Sequence, residues 1–197
     1  MLDCQVALLE NAISRYQVTG EVPGPLGSRH PAITPFQFFE SADGHLVVAA
    51  GNEGLWKKLC ATLGLPALAA DPRFATNALR TQHHAELEAA LAPAFKKGGT
   101  AHWCRALEEA GVPCGPICDI AQVVADPQVQ ARGMIASQDH PKAGEVVMPA
   151  SPLKFSATPV EPGAPAPLLG QHTDEVLGGL LGLSAAQLDD LRRAGVI

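Results

Sequence analysis

Apolar positions recur at helical spacing from the first residues of the chain. Val6, Leu9, Ile13 and Tyr16 predict a helix from about Asp3 to Gln17, and Thr19-Gly20 stops it. From Glu21 to Pro35 the periodicity vanishes. Pro23, Gly24, Pro25, Gly27, Pro31 and Pro35 leave no room for a helix or a central strand, so this stretch reads as an extended loop. Pro35–Glu40 and His45–Ala50 then read as two strands of a hairpin with one apolar face, joined by a tight turn at Asp43-Gly44.

The next segments read as helices with recognisable ends. Asn52 caps a helix carrying Leu55, Leu59 and Leu63, which closes at Gly64 before Pro66. Asp71-Pro72 starts a further turn. A longer helix from about Thr81 turns Leu87, Leu91 and Phe95 inward and ends at Gly98-Gly99. Thr100 caps a short helix with Trp103 and Leu107, which Gly111 closes. Val112–Pro116 reads as a rigid loop, and Asp119 and Asp126-Pro127 as helix starts. Met134–Gln138 and Glu145–Met148 form a second hairpin about Lys142-Ala143-Gly144. The segment from Pro149 to Pro167 holds six prolines and should be extended. Two short helices finish the chain, one capped by Thr173, the other by a capping box of Ser184 and Gln187.

Composition narrows the class. At 197 residues, with 47% hydrophobic and 17% charged positions, the chain suits one globular domain or two small ones. Aromatics are 5%, so alanine, leucine and valine must build most of the core. A net charge of −6 argues against a nucleic-acid partner or a polybasic membrane anchor. No apolar run reaches the roughly 18 residues of a membrane span. Asp3 and Glu10 interrupt any signal-peptide core, and five cysteines without a framework point to a reducing cytoplasm. The opening directly into a helix suits a piece of a longer chain, although compact domains also begin this way.

The reactive residues mostly have structural explanations. Cys114 and Cys118 form one loose pair, with Cys104 beside His102, short of the two close pairs of a zinc site, so no metal is expected. Cys114 with His102 or His172 could form a nucleophile–base pair, but no nucleophile elbow surrounds it. Cys60 and Cys104 read as buried apolar residues on helix faces. Asp71, Asp126 and Thr173 stand where helix caps belong, and Lys96-Lys97 and Arg192-Arg193 where cations oppose a helix dipole. That leaves Gly24–His30, whose glycines, hydroxyl and cation suit a ligand-covering loop as well as a plain connector.

Taken in order, the motifs resemble the C-terminal half of the class III CoA-transferases, the family of formyl-CoA transferase, carnitine CoA-transferase and α-methylacyl-CoA racemase. The series runs from Met1-Leu2-Asp3 through Thr19-Gly20, Gly27-Ser28-Arg29-His30-Pro31, Pro35-Phe36-Gln37 and Asp43-Gly44. It continues with Gly51-Asn52, Trp56, Leu59-Cys60, Asp71-Pro72-Arg73-Phe74, Asn77 and Arg80. Gly111–Pro116, Asp126-Pro127-Gln128, Ala131-Arg132, Pro167–Thr173 and Gly195-Val196-Ile197 complete it.

The resemblance implies an α/β chain in three parts. Residues 1–34 would be a helix and Gly/Pro linker of a Rossmann-like large domain. Residues 35–131 would be the family's small α+β domain of antiparallel hairpins and helices, and residues 132–197 an arm returning to the large domain. Two such chains interlock as a dimer in the family. The implied chemistry moves CoA from an acyl-CoA to a small carboxylate through a mixed anhydride and an aspartyl-CoA thioester. The nucleophilic aspartate of the family stands in a Gly-Asp context, which this sequence lacks. No catalytic residue is therefore expected here, and the chain alone should be inactive.

By position, Gly24, Gly27, Arg29 and His30 match the family's glycine-rich loop over the substrate, although this loop has no run of consecutive glycines. No permanently bound cofactor is implied, since the CoA thioester is a substrate. Three alternatives stay open: the racemase branch of the same family, a non-catalytic lid or dimerisation half working with a separate N-terminal partner, and a stand-alone Cys114 hydrolase.

Overall fold

The computed structural model describes residues 1–160 and 163–197. Two compact units divide the chain, Met1–Ile117 and Cys118–Ile197.

The first unit opens on two helices rather than one, α1 (Leu2–Ala7) and α2 (Glu10–Thr19). The break lies at Leu9, whose amide bonds Val6 O at 3.0 Å, a tighter turn than the α-helical pattern. No residue of either helix is buried. Gly20 ends α2 at φ 72°, a left-handed cap that suits a residue without Cβ. Residues 21–35 form no helix or strand, as their prolines require.

Strands β1 (Phe36–Glu40) and β2 (His45–Ala49) pair antiparallel, with Gln37 opposite Val48 and Phe39 opposite Leu46 on the buried face. The connection is longer than a tight Asp-Gly turn. Ser41–Gly44 closes through the Ser41 amide on Gly44 O (2.9 Å), and the Ala42 amide reaches Gly98 O (3.0 Å). Asp43 is turned to another task. Its carboxylate accepts from the Thr100 amide at 2.7 Å and the Thr100 hydroxyl at 3.1 Å. It thus caps α7 (Thr100–Glu109) from outside that helix, where the sequence pattern assigned the cap to Thr100 itself.

Helix α3 (Glu53–Thr62) begins as its sequence predicts, with Asn52 Oδ1 accepting from the Leu55 amide at 2.8 Å. α4 (Pro66–Ala69) and a 3₁₀ turn (Pro72–Phe74) follow, the latter capped by Asp71. The long helix predicted from Thr81 is two, α5 (Asn77–Gln82) and α6 (His84–Phe95), broken at His83. Leu87, Leu91 and Phe95 are buried on α6 as predicted.

Val112–Pro116 departs from the loop expected of it. Cys114–Pro116 is strand β3, antiparallel to β2, with Val48 opposite Cys114 and Leu46 opposite Pro116. A proline is tolerated there because β3 is an edge strand and Pro116 need not donate outward. The sheet packs Phe39, Leu46 and Val48 against Trp56 and Leu59 of α3, Leu87, Leu91 and Phe95 of α6, and Trp103 and Leu107 of α7. Phe39 stacks on Phe95 at 4.6 Å, and Trp103 Nε1 donates to Phe95 O at 2.7 Å.

The second unit contains α8 (Ile120–Ala125), capped by Asp119 in a capping box with Gln122, and α9 (Pro127–Ala131), capped by Asp126. A hairpin of β4 (Ile135–His140) and β5 (Gly144–Pro149) turns through Gly144 at φ 71°. Residues 150–160 and 163–167 form no helix or strand, and Glu161 and Pro162 of the predicted extended segment lie outside the described residues. α10 (Thr173–Leu181) has His172, not Thr173, at its N-cap, whereas α11 (Ala185–Arg193) has the predicted Ser184–Gln187 box. Among the described residues no helix is long and apolar enough to cross a membrane.

Candidate functional site

The Gly/Pro loop is held against the edge of β1. The His30 amide donates to Phe36 O (2.8 Å), and the Phe38 amide donates to Ser28 Oγ (3.4 Å). His30 Nδ1 accepts from the amides of Ala32 (3.1 Å) and Ile33 (3.0 Å), and its ring stacks on Phe36 at 5.5 Å. One nitrogen of His30 is thereby committed to shaping the loop. A second anchor lies at Thr34. Its amide donates to Asn77 Oδ1 (2.9 Å), and its carbonyl accepts from Arg80 Nε (2.7 Å).

Arg80 is fully buried and serves three segments at once. Besides Thr34 O, it donates to Phe74 O (3.1 Å) and Gly51 O (3.4 Å), and its guanidinium lies over Trp56 at 5.4 Å. Burial lowers its pKa, but an arginine in such a carbonyl cage stays charged. Gly51 has no space to spare, since a Cβ there would stand 2.3 Å from Ile33 Cγ2.

Between loop, strand and helix lies a cleft of about 230 Å³, lined by residues 26–29 of the loop, Gln37 and Phe38 of β1, and His84 and Glu88 of α6. Gln37 alternates inward with Phe39 and is itself buried. Its amide nitrogen donates to Glu88 Oε1 (3.2 Å), which turns its oxygen to His84 Nε2 at 2.5 Å. His84 therefore donates from Nε2, and its Nδ1 lies 3.7 Å from Glu88 Oε2, too far for a hydrogen bond. Burial, and then the Arg29 charge, hold the His84 pKa below the ordinary imidazole value, while Glu88 pulls the other way.

Of the four loop residues singled out in the sequence, Gly27 and Arg29 line this cleft and Gly24 and His30 do not. Gly27 has φ 66°, which favours glycine, whereas a Cβ at Gly24 would meet nothing within 4 Å. Gln37 was visible only as part of a motif. His84 and Glu88 carried one usable signal, their i, i+4 spacing on a helix.

The nucleophile reading of Cys114 weakens, while Cys60 is buried as expected and Cys104 is half-buried. Cys114 donates its thiol to Cys104 O at 3.5 Å, and burial above all pushes its pKa up to about 11. Cys60 is pushed up to about 12 for the same reason. No imidazole is hydrogen-bonded to Cys114 among the described residues. His102 packs edge-on to Trp103, and His172 meets Glu175 at 3.1 Å. No group of three or more metal-binding side chains occurs among the described residues. The second unit has a larger hollow of about 400 Å³ beside Ala136 and Met148, where Lys154 donates to Gly133 O (3.3 Å).

The family model for CoA-transferase family III matches residues 1–173. The chain belongs to CoA-transferase family III. Among relatives of this CoA-transferase family III chain, the acetyl-CoA:oxalate CoA-transferase of Acetobacter aceti is 41% identical over 168 residues, covering 84% of this chain and 42% of the relative. The succinyl-CoA:glutarate CoA-transferase of Homo sapiens is 34% identical over 197 residues, 100% of this chain and 45% of the relative. The crystal structure of a CAIB/BAIF family protein from Brucella suis aligns with a TM-score of 0.77 at 35% identity, over 90% of this chain and 46% of that one. The family III chain thus spans under half the length of the curated relatives it matches.

Proposed function

We propose that this chain supplies the C-terminal part of an acyl-CoA:carboxylate CoA-transferase whose substrates include small dicarboxylic acids. The observation that carries the reading is the family match over residues 1–173, joined to relatives named for oxalate and glutarate exchange. In this scheme an aspartate outside these 197 residues attacks the acyl thioester carbonyl and expels CoA thiolate, giving a mixed anhydride. The thiolate then attacks the aspartyl carbonyl and releases the first carboxylate, leaving an aspartyl-CoA thioester. The acceptor carboxylate reverses the two steps. The chain's own contribution is the loop of Gly24, Gly27, Arg29 and His30. It covers the cleft, limits access of water to the reactive acyl groups and positions the acid. The cytoplasm, where acyl-CoA substrates and free thiols coexist, is the compartment this reading favours.

The test compares two proteins with acetyl-CoA or succinyl-CoA as donor and oxalate or glutarate as acceptor. One is this chain alone. The other is a chimera in which the N-terminal part of the Acetobacter aceti relative precedes it. Turnover by the chimera and none by the chain alone is expected. Robust transfer by the chain alone would remove the need for an outside nucleophile.

A further inference from the structure

We infer that Arg29 is the anchor for the carboxylate that a dicarboxylic substrate does not spend in CoA exchange, with the cleft between the loop, β1 and α6 as its binding pocket. This rests on the transferase reading above and names the residue that would select its substrates.

Arg29 is half-buried and lines the cleft, yet no carboxylate lies within ion-pair distance of it among the described residues. Arg15 and Arg105 of the same unit also form no ion pair among the described residues, but neither lines the cleft, and the remaining two arginines are committed. Arg73 is paired with Asp71 and Glu86 at 2.7 Å each, and Arg80 is spent on backbone carbonyls. A guanidinium presents a planar fork of donors, which matches a carboxylate with two parallel hydrogen bonds.

The groups around Arg29 leave that fork for a ligand. Glu88 is held by the Gln37 amide rather than by Arg29. His84 gives its one N–H to Gln37 Oε1, so it neither neutralises the guanidinium nor competes for an acid. Leu26 and half-exposed Phe38 supply apolar wall for the methylenes of a short diacid.

The size of the cleft favours the smaller of the two anions that a transferase of this kind meets. A volume of about 230 Å³ equals on the order of eight water molecules at the liquid volume of ~30 Å³ each. That accommodates a two- to five-carbon diacid and is below the ~300–1,000 Å³ typical of sites for larger ligands, such as the nucleotide end of CoA.

The experiment follows the His84 ring and Arg29 side-chain NMR signals of the purified chain while glutarate, neutral glutaramide or inorganic phosphate is added. Glutarate should shift them, and glutaramide should not. Arg29→Met should abolish the response while the remaining amide spectrum shows the fold unchanged. In the chimera, Arg29→Met should raise KM for glutarate roughly tenfold or more, and by more than it raises KM for a monocarboxylate acceptor, and Arg29→Lys should recover part of the loss. A glutarate response absent from the wild type, a stronger response to phosphate, or an unchanged glutarate KM in Arg29→Met overturns the inference. A chimera without any turnover, alongside an Arg29-dependent glutarate response, keeps the anchor and defeats the transferase reading alone.

Discussion

Replacing Arg80 with methionine should loosen the first unit more than any single surface change. The stem keeps its volume against Trp56, but the carbonyls of Thr34, Phe74 and Gly51 lose their donor. The bonds at 2.7 and 3.1 Å are of normal length and charge-assisted, while the one at 3.4 Å is long. At ~1.5–3 kcal/mol for each of the two good bonds, the gross loss is about 3–6 kcal/mol. Removing a buried charge returns part of that, so a net loss of about 3 kcal/mol is expected. With a urea slope of ~1–3 kcal/mol per molar, the midpoint should fall by about 1–3 M. Both tryptophans of the chain, Trp56 and Trp103, lie in this unit, so their fluorescence reports its unfolding selectively. A midpoint within ~0.3 M of wild type would show that the carbonyl cage contributes no net stability.

Three further outcomes follow from the same contacts. The folded state depresses the His84 pKa, so the unfolded chain binds the extra proton first; stability should fall as pH drops below the unfolded imidazole value of ~6.5, and urea titrations of His84→Gln should lack that part of the slope. Hydrogen bonds from the Thr100 amide and hydroxyl hold the Asp43 pKa below its usual value; their stabilisation is present above the unfolded carboxylate pKa and lost as pH falls through the folded one, and Asp43→Ala should lower the thermal midpoint by a few degrees at neutral pH. Iodoacetamide near neutral pH should label exposed Cys4 and Cys118 before Cys60 and Cys114, as read by mass spectrometry, since a thiol at about 11 is only on the order of one part in ten thousand thiolate.

Local chemistry was readable where a side chain acts on its own neighbourhood. Asn52, Asp71, Asp119, Asp126 and Ser184 all cap the helices their positions announce. Elements that depend on distant partners were not. Cys114–Pro116 becomes a strand only because β2 offers it an edge, and nothing within Val112–Pro116 encodes that. Asp43 resembles a turn residue until a helix start 57 positions later claims its carboxylate. The cleft was half legible. Arg29 and Gly27 stood out in an odd loop, and strand alternation places Gln37 on the same face as Phe39. His84 joined them through a contact 47 positions long, beyond the reach of periodicity. Family membership came from the order of many weak motifs, which no one of them carries.

The bonds that seat the loop on β1 also govern how the unit behaves in company. β1 and β3 are the two margins of a three-stranded sheet, and an open margin invites another chain to pair with it. Pro116 blunts the β3 side by lacking an amide hydrogen. On the β1 side, the His30 amide and the Ser28 hydroxyl occupy Phe36 O and the Phe38 amide. Lifting the loop would bare those groups beside two partly exposed phenylalanines, so each opening creates a template for aggregation. A closed loop therefore serves solubility as well as any substrate beneath it.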